Sequence, residues 1–160
     1  MPAIPRELLV FLASMMPVGE MRAGIPLGLL LGMSPEAAFF WAELGNILII
    51  VPLLKILGPV SDWLRQRSAW CERTFSKLFD HTRAKHTTKF EKMGEMFILA
   101  LAAIPFPGTG AWTAALVAFL FGISYWRSLL LIFIGNIVCG ILVTTGFGGV
   151  MDLIIKISRP

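Results

Sequence analysis

"PVGEMRAGIP", residues 17–26, sets an acid and a base, Glu20 and Arg22, between two prolines inside an apolar run spanning 8–33. Residues 8–16 alone give a helix of roughly 14 Å, about half of a ~30 Å bilayer core. Proline and glycine end helices, and backbone groups freed inside a membrane must find protein or water partners. Two half-helices meeting at a broken tip, a re-entrant hairpin, satisfy that demand. A full-length helix kinked at the break is the alternative.

The rest of the chain makes the membrane the right solvent. Of 160 residues 56% are hydrophobic and 15% charged, and the mean hydropathy is +0.77, more apolar surface than one small soluble core can hide. Four apolar blocks appear, at 8–33, 37–57, 96–123 and 128–151. The second and fourth are long enough to span, while "PFPGTG" at 105–110 cuts the third as "PVGEMRAGIP" cuts the first. Residues 61–92 hold eight Lys/Arg and four acids, and so carry the whole net charge of +4. The positive-inside rule makes this stretch a cytoplasmic linker. No nucleic-acid-binding module accompanies the charge, so nucleic acid is excluded as a partner. Within the linker Leu64, Cys71, Phe75 and Leu78 follow helical spacing, which fits an amphipathic helix at the lipid interface or a solvated helical loop.

The N-terminus does not read as a cleavable signal, because the early charge is a single Arg6 and Glu20–Arg22 interrupts the apolar run. Cys71 and Cys139 form no disulfide framework. His81 and His86 have no metal-ligand spacing, and no cofactor motif or nucleotide-binding loop occurs. The apolar blocks contain no Ser–His–Asp, Cys–His or paired-Asp pattern, which argues against an intramembrane enzyme.

Sliding the chain against itself by 90 residues aligns Pro17 with Pro107, Gly32-x-Ser34 with Gly122-x-Ser124 and Gly45-Asn46-Ile47 with Gly135-Asn136-Ile137. Over 7–60 against 97–150, 11 of 54 positions are identical without a gap. The expectation is an all-α membrane protein of one domain, an inverted repeat of units 7–60 and 97–150 joined by the linker 61–92. Each unit is a re-entrant helical hairpin followed by one transmembrane helix, an architecture common among secondary transporters.

At "EMRAGIP" and "IPFPGTGAW" the sequence resembles the small multidrug export family, itself similar to the wider DedA-type membrane proteins. Glu20, Arg22, Ile25 and Pro26 match the first family motif, with Ala23-Gly24 reversing its small pair. Pro105, Pro107, Gly108, Thr109, Gly110, Ala111 and Trp112 match the second. The resemblance implies a bacterial or archaeal plasma membrane, re-entrant hairpins and export, or, by the DedA likeness, translocation of a polyprenyl phosphate.

An intramembrane charge costs at least about 2.5 kcal/mol on insertion scales, so Glu20 and Arg22 must face protein or water. Arg22 can grip a phosphate or carboxylate, and Glu20 can be its counter-ion or a proton carrier; a purely structural ion pair is the plainer reading. The "PFPGTG" glycines can bring backbone groups close to a ligand, and Trp112 can line the cavity. Glu43 is a second proton site or an acid near the outer interface. Asn46 and Asn136 read as interhelical hydrogen-bonders, with Gly45 and Gly135 permitting close approach. The expected partners are membrane lipid and a small-molecule or lipid-phosphate substrate, and the short chain leaves room for a homodimer. A scaffold whose basic loop recruits a partner is the reading outside transport.

Overall fold

The computed structural model describes residues 4–67, 88–106 and 108–158. Cys71, Phe75, Leu78, His81, His86 and Pro107 lie outside the described residues. The first apolar block splits into α1 (Arg6–Met15) and α2 (Glu20–Leu30). Met16 is extended, with ψ 142, because the ring of Pro17 disfavours a helical residue before it. Next comes α3 (Pro35–Arg67). The third block splits likewise into α4 (Thr88–Ala103) and α5 (Ala111–Leu120), and α6 (Tyr125–Ser158) follows.

The turns after α2 and α5 are built alike, 90 residues apart. Gly32 and Gly122 take left-handed φ values of 75 and 67. In each turn the glycine N–H bonds three residues back and the next N–H five back: Gly32 to Leu29 and Met33 to Gly28, Gly122 to Phe119 and Ile123 to Ala118. This double bond pair is a Schellman close, and it needs glycine where φ is positive. Packing follows the same shift. Helix α1 lies on α3 and α4 on α6, while α2 also meets α6 and α5 also meets α3. Glycines set the first two approaches: a Cβ on Gly45 would strike the Phe11 carbonyl of α1, and one on Gly135 would strike Ala102 of α4.

Helices α3 and α6 run antiparallel. Phe39 meets Gly140, Glu43 lies beside Asn136, and the Lys55 ammonium sits 5.7 Å above the Tyr125 ring. Both are longer than the apolar blocks foretell, at 33 and 34 residues, or about 50 Å each. Residues 61–67 therefore continue α3, and 88–92 open the 16-residue α4, so both ends of the expected linker belong to the helices that flank it.

Two stretches, Pro35–Ser61 and Tyr125–Val150, are long and apolar enough to cross a membrane. Their outward faces are apolar as well: Phe40, Leu44 and Leu48 on α3, and Leu130, Ile134, Val138 and Ile141 on α6 are all exposed. A soluble helix carries polar residues on that face, so these surfaces fit contact with lipid. The chain has the build of an integral membrane protein. Inside, one apolar cluster joins Val10, Met21, Ile25 and Ala42 to Cys139, and a second joins Ile50, Ile98 and Ile132 to four buried alanines of α5.

Candidate functional site

The two breaks face each other, and Glu20 and Arg22 join them. Helix α5 opens abruptly after Gly110, whose φ is 144, so its first N–H groups have no helical acceptor. Glu20 supplies one from across the fold. Its Oε2 accepts from the Ala111 N–H at 3.0 Å and its Oε1 from the Trp112 N–H at 3.1 Å. A carboxylate at the positive end of a helix dipole is favourably placed.

Arg22 performs the opposite task on α4, whose last carbonyls are freed where Pro105 stops the helix. Nη2 donates to the Ile104 carbonyl at 2.7 Å, with Leu101 and Ala102 at 3.4 and 3.5 Å. Nη1 donates to the Thr109 carbonyl and lies 3.7 Å from Glu20 Oε2. That last distance is a Coulomb contact rather than a hydrogen bond. Acid on the N-terminus and guanidinium on the C-terminus thus match the dipoles of both helix ends at the second break. Glu20 itself carries φ 51, a left-handed conformation uncommon outside glycine.

The second break is shaped from within by Thr109. Its hydroxyl donates to the carbonyls of Ile104 and Phe106, and the Thr113 hydroxyl donates to that of Gly108. Between the breaks lies a pocket of about 420 Å³. Pro17, Val18 and Gly19 line one wall, Pro105, Gly108 and Thr109 the other, and Glu20 and Arg22 also border it.

Of the residues singled out by sequence, Glu20, Arg22, Pro105, Gly108 and Thr109 meet at this pocket. Gly110 supports it from behind, since a Cβ there would collide with the Glu20 carboxylate and Arg22. Trp112 sits differently: its backbone N–H serves Glu20 while its side chain packs against the apolar cluster around Ile50 and Ile98. Glu43, Asn46 and Asn136 are buried deeper, where α3 and α6 cross; Asn46 lies beside Glu20 and Asn136 beside Glu43. Sequence reading passed over Cys139, a buried thiol beside the Arg22 guanidinium. Its spacing of three from Asn136 on one helix face was the available signal.

Comparison with curated proteins and with solved structures returned no match. Residues 20–142 match the family described as "Putative small multi-drug export protein", a span that starts at Glu20, just after the first break, and runs through the second to the middle of α6. With both motifs inside the matched span and more than half of the chain covered, this protein belongs to the small multidrug export family.

Proposed function

We propose that the chain is a secondary membrane transporter rather than an enzyme, with its substrate held between the two breaks. One observation carries the reading: two interrupted helices face one another across a pocket bordered by a buried acid and a partly buried guanidinium. Charges are kept inside membrane proteins at real cost and mark transport pathways. In this reading units 7–60 and 97–150 form an inverted repeat of re-entrant hairpins, and rocking of one against the other exposes the pocket to each side in turn. The antiparallel α3 and α6 and the matching turns support it. An anionic or amphiphilic substrate takes the place of the Glu20 carboxylate at the α5 amides, with Arg22 as counter-charge. A proton gradient acting through Glu20 or Glu43 drives the cycle.

A second cargo, a polyprenyl phosphate of the kind linked with DedA-type proteins, is favoured by the pocket rim. Met16, Val18, Ile104 and Phe106 stand exposed beside the breaks and could flank an acyl or prenyl chain while the phosphate enters. The protein reconstituted in vesicles under an imposed pH gradient tests both. Uptake of fluorescent amphiphilic anions and cations should follow the gradient and stop with a protonophore. Movement of a labelled long-chain prenyl phosphate between leaflets would assign the lipid cargo. Folded protein that moves neither class would overturn the transport reading.

A further inference from the structure

Three buried polar side chains lie behind the stitch between the breaks. Glu43 is 8% exposed, Asn46 0% and Asn136 1%. Among the described residues, neither carboxylate oxygen of Glu43, neither polar atom of the Asn46 amide, nor Nδ2 of Asn136 makes a hydrogen bond, although Asn136 stands beside Glu43 and Asn46 beside Glu20. Glu43 and Asn46 are three apart and share a face of α3, and Asn136 comes alongside Glu43 from α6. An unmade buried hydrogen bond costs about 1–3 kcal/mol, and a lone buried carboxylate more. So many orphaned atoms in one place call for a missing ligand.

The charges around them restrict what it is. From α2, Glu20 and Arg22 offset each other at 3.7 Å. From α6, Cys139 adds a thiol, and from α1 the Ser14 hydroxyl is already bonded to the Val10 carbonyl. On α4, Glu95 is engaged by Arg127. Glu43 therefore contributes a single uncompensated negative charge. A proton on Glu43 removes that charge and supplies one donor for the Asn46 oxygen, while the Asn136 amide can donate to the other Glu43 oxygen. A bare monovalent cation competes for the same place, held by the Glu43 carboxylate and the Asn46 oxygen, with the Asn136 amide turned so that its oxygen joins them. The Asn46 NH2 is then free to turn to the Glu20 carboxylate beside it. A divalent ion would require more anionic oxygens than one carboxylate provides.

We propose that Glu43, Asn46 and Asn136 form a binding site for an alkali cation, Na+ or K+, with protons competing at Glu43. The proposal rests on the transport reading only in that the cation would exchange with the coupling proton at Glu43; binding itself can be measured without transport. In purified full-length protein, the melting temperature should rise with NaCl or KCl above its value in equal choline chloride. The rise should be larger in alkaline than in mildly acidic buffer and absent in Glu43→Gln. Asn46→Ala and Asn136→Ala should each raise the cation concentration required by about tenfold or more. Equilibrium binding of radiolabelled Na+ to the unmutated protein, with unlabelled Na+ and K+ as competitors, keeps the test decisive if a variant fails to fold. Saturable binding supports the site and tells the two ions apart. No effect beyond choline in either buffer, or an undiminished one in Glu43→Gln, overturns it. Cation binding without gradient-driven flux leaves this site standing and sinks the transport reading; flux without cation binding does the reverse.

Discussion

Gly110 has no room for a side chain. A methyl group there would push into both oxygens of the Glu20 carboxylate and into Arg22 Nη1, on a backbone with φ 144 that side chains rarely tolerate. Gly110→Ala should therefore cost about 3 kcal/mol, the upper range for overpacking a buried site. Gly146, inside α6 with open space around it, provides the control. Gly146→Ala should be neutral or stabilising by up to about 1 kcal/mol, since alanine is the better helix former. Thermal unfolding of the two variants in one detergent compares them directly. Equal melting temperatures would mean that the carboxylate does not hold the start of α5.

Helix ends make a separate prediction about the charges. If Glu20 and Arg22 served mainly each other, removing both would be milder than removing either, because no buried charge would be stranded. Here each also holds backbone of a different helix, Glu20 the first N–H groups of α5 and Arg22 the last carbonyls of α4. Glu20→Gln with Arg22→Gln should thus be at least as destabilising as the worse single change, as a double-mutant cycle of unfolding free energies will read. A rescued double mutant would restore the simple ion pair. The breaks themselves were legible in the sequence, since Pro17, Pro105 and their glycines announce them, and the shift of 90 residues located the matching turns. The capping was not legible. Acceptor and donor are 91 residues apart from Glu20 to Ala111, and no local pattern encodes so distant a pairing. The reach of α3 was missed for another reason: hydropathy marks where a helix stops being greasy, whereas the helix itself runs through Pro59 to Arg67.

The antiparallel arrangement of α3 and α6 fixes what the whole molecule presents to each side. Lys55, near the basic stretch, sits over Tyr125 at the start of α6, so the charged end of one long helix is the beginning of the other. A reporter fused near residue 75 should be cytoplasmic and one after Pro160 external, read by paired enzymatic reporters active on opposite sides. Both reporters on one side would exclude the inverted repeat. The basic linker supplies the expected orientation, which the reporters test; the depth at which Glu43 sits was not legible in the sequence. Position along α3 left it equally suited to an interface, and only the approach of α6 encloses it.

The stitch between the breaks also has a history during synthesis. Glu20 and Arg22 leave the ribosome about 80 to 90 residues before the backbone groups they hold, a delay of roughly 5–20 s at usual elongation rates. Throughout that interval the nascent first half carries an acid and a base whose intended partners do not yet exist. It must wait near water or under the cover of the insertion machinery. The backbone groups that complete the stitch arrive with residues 101–112, so the last-made half completes the burial of the first.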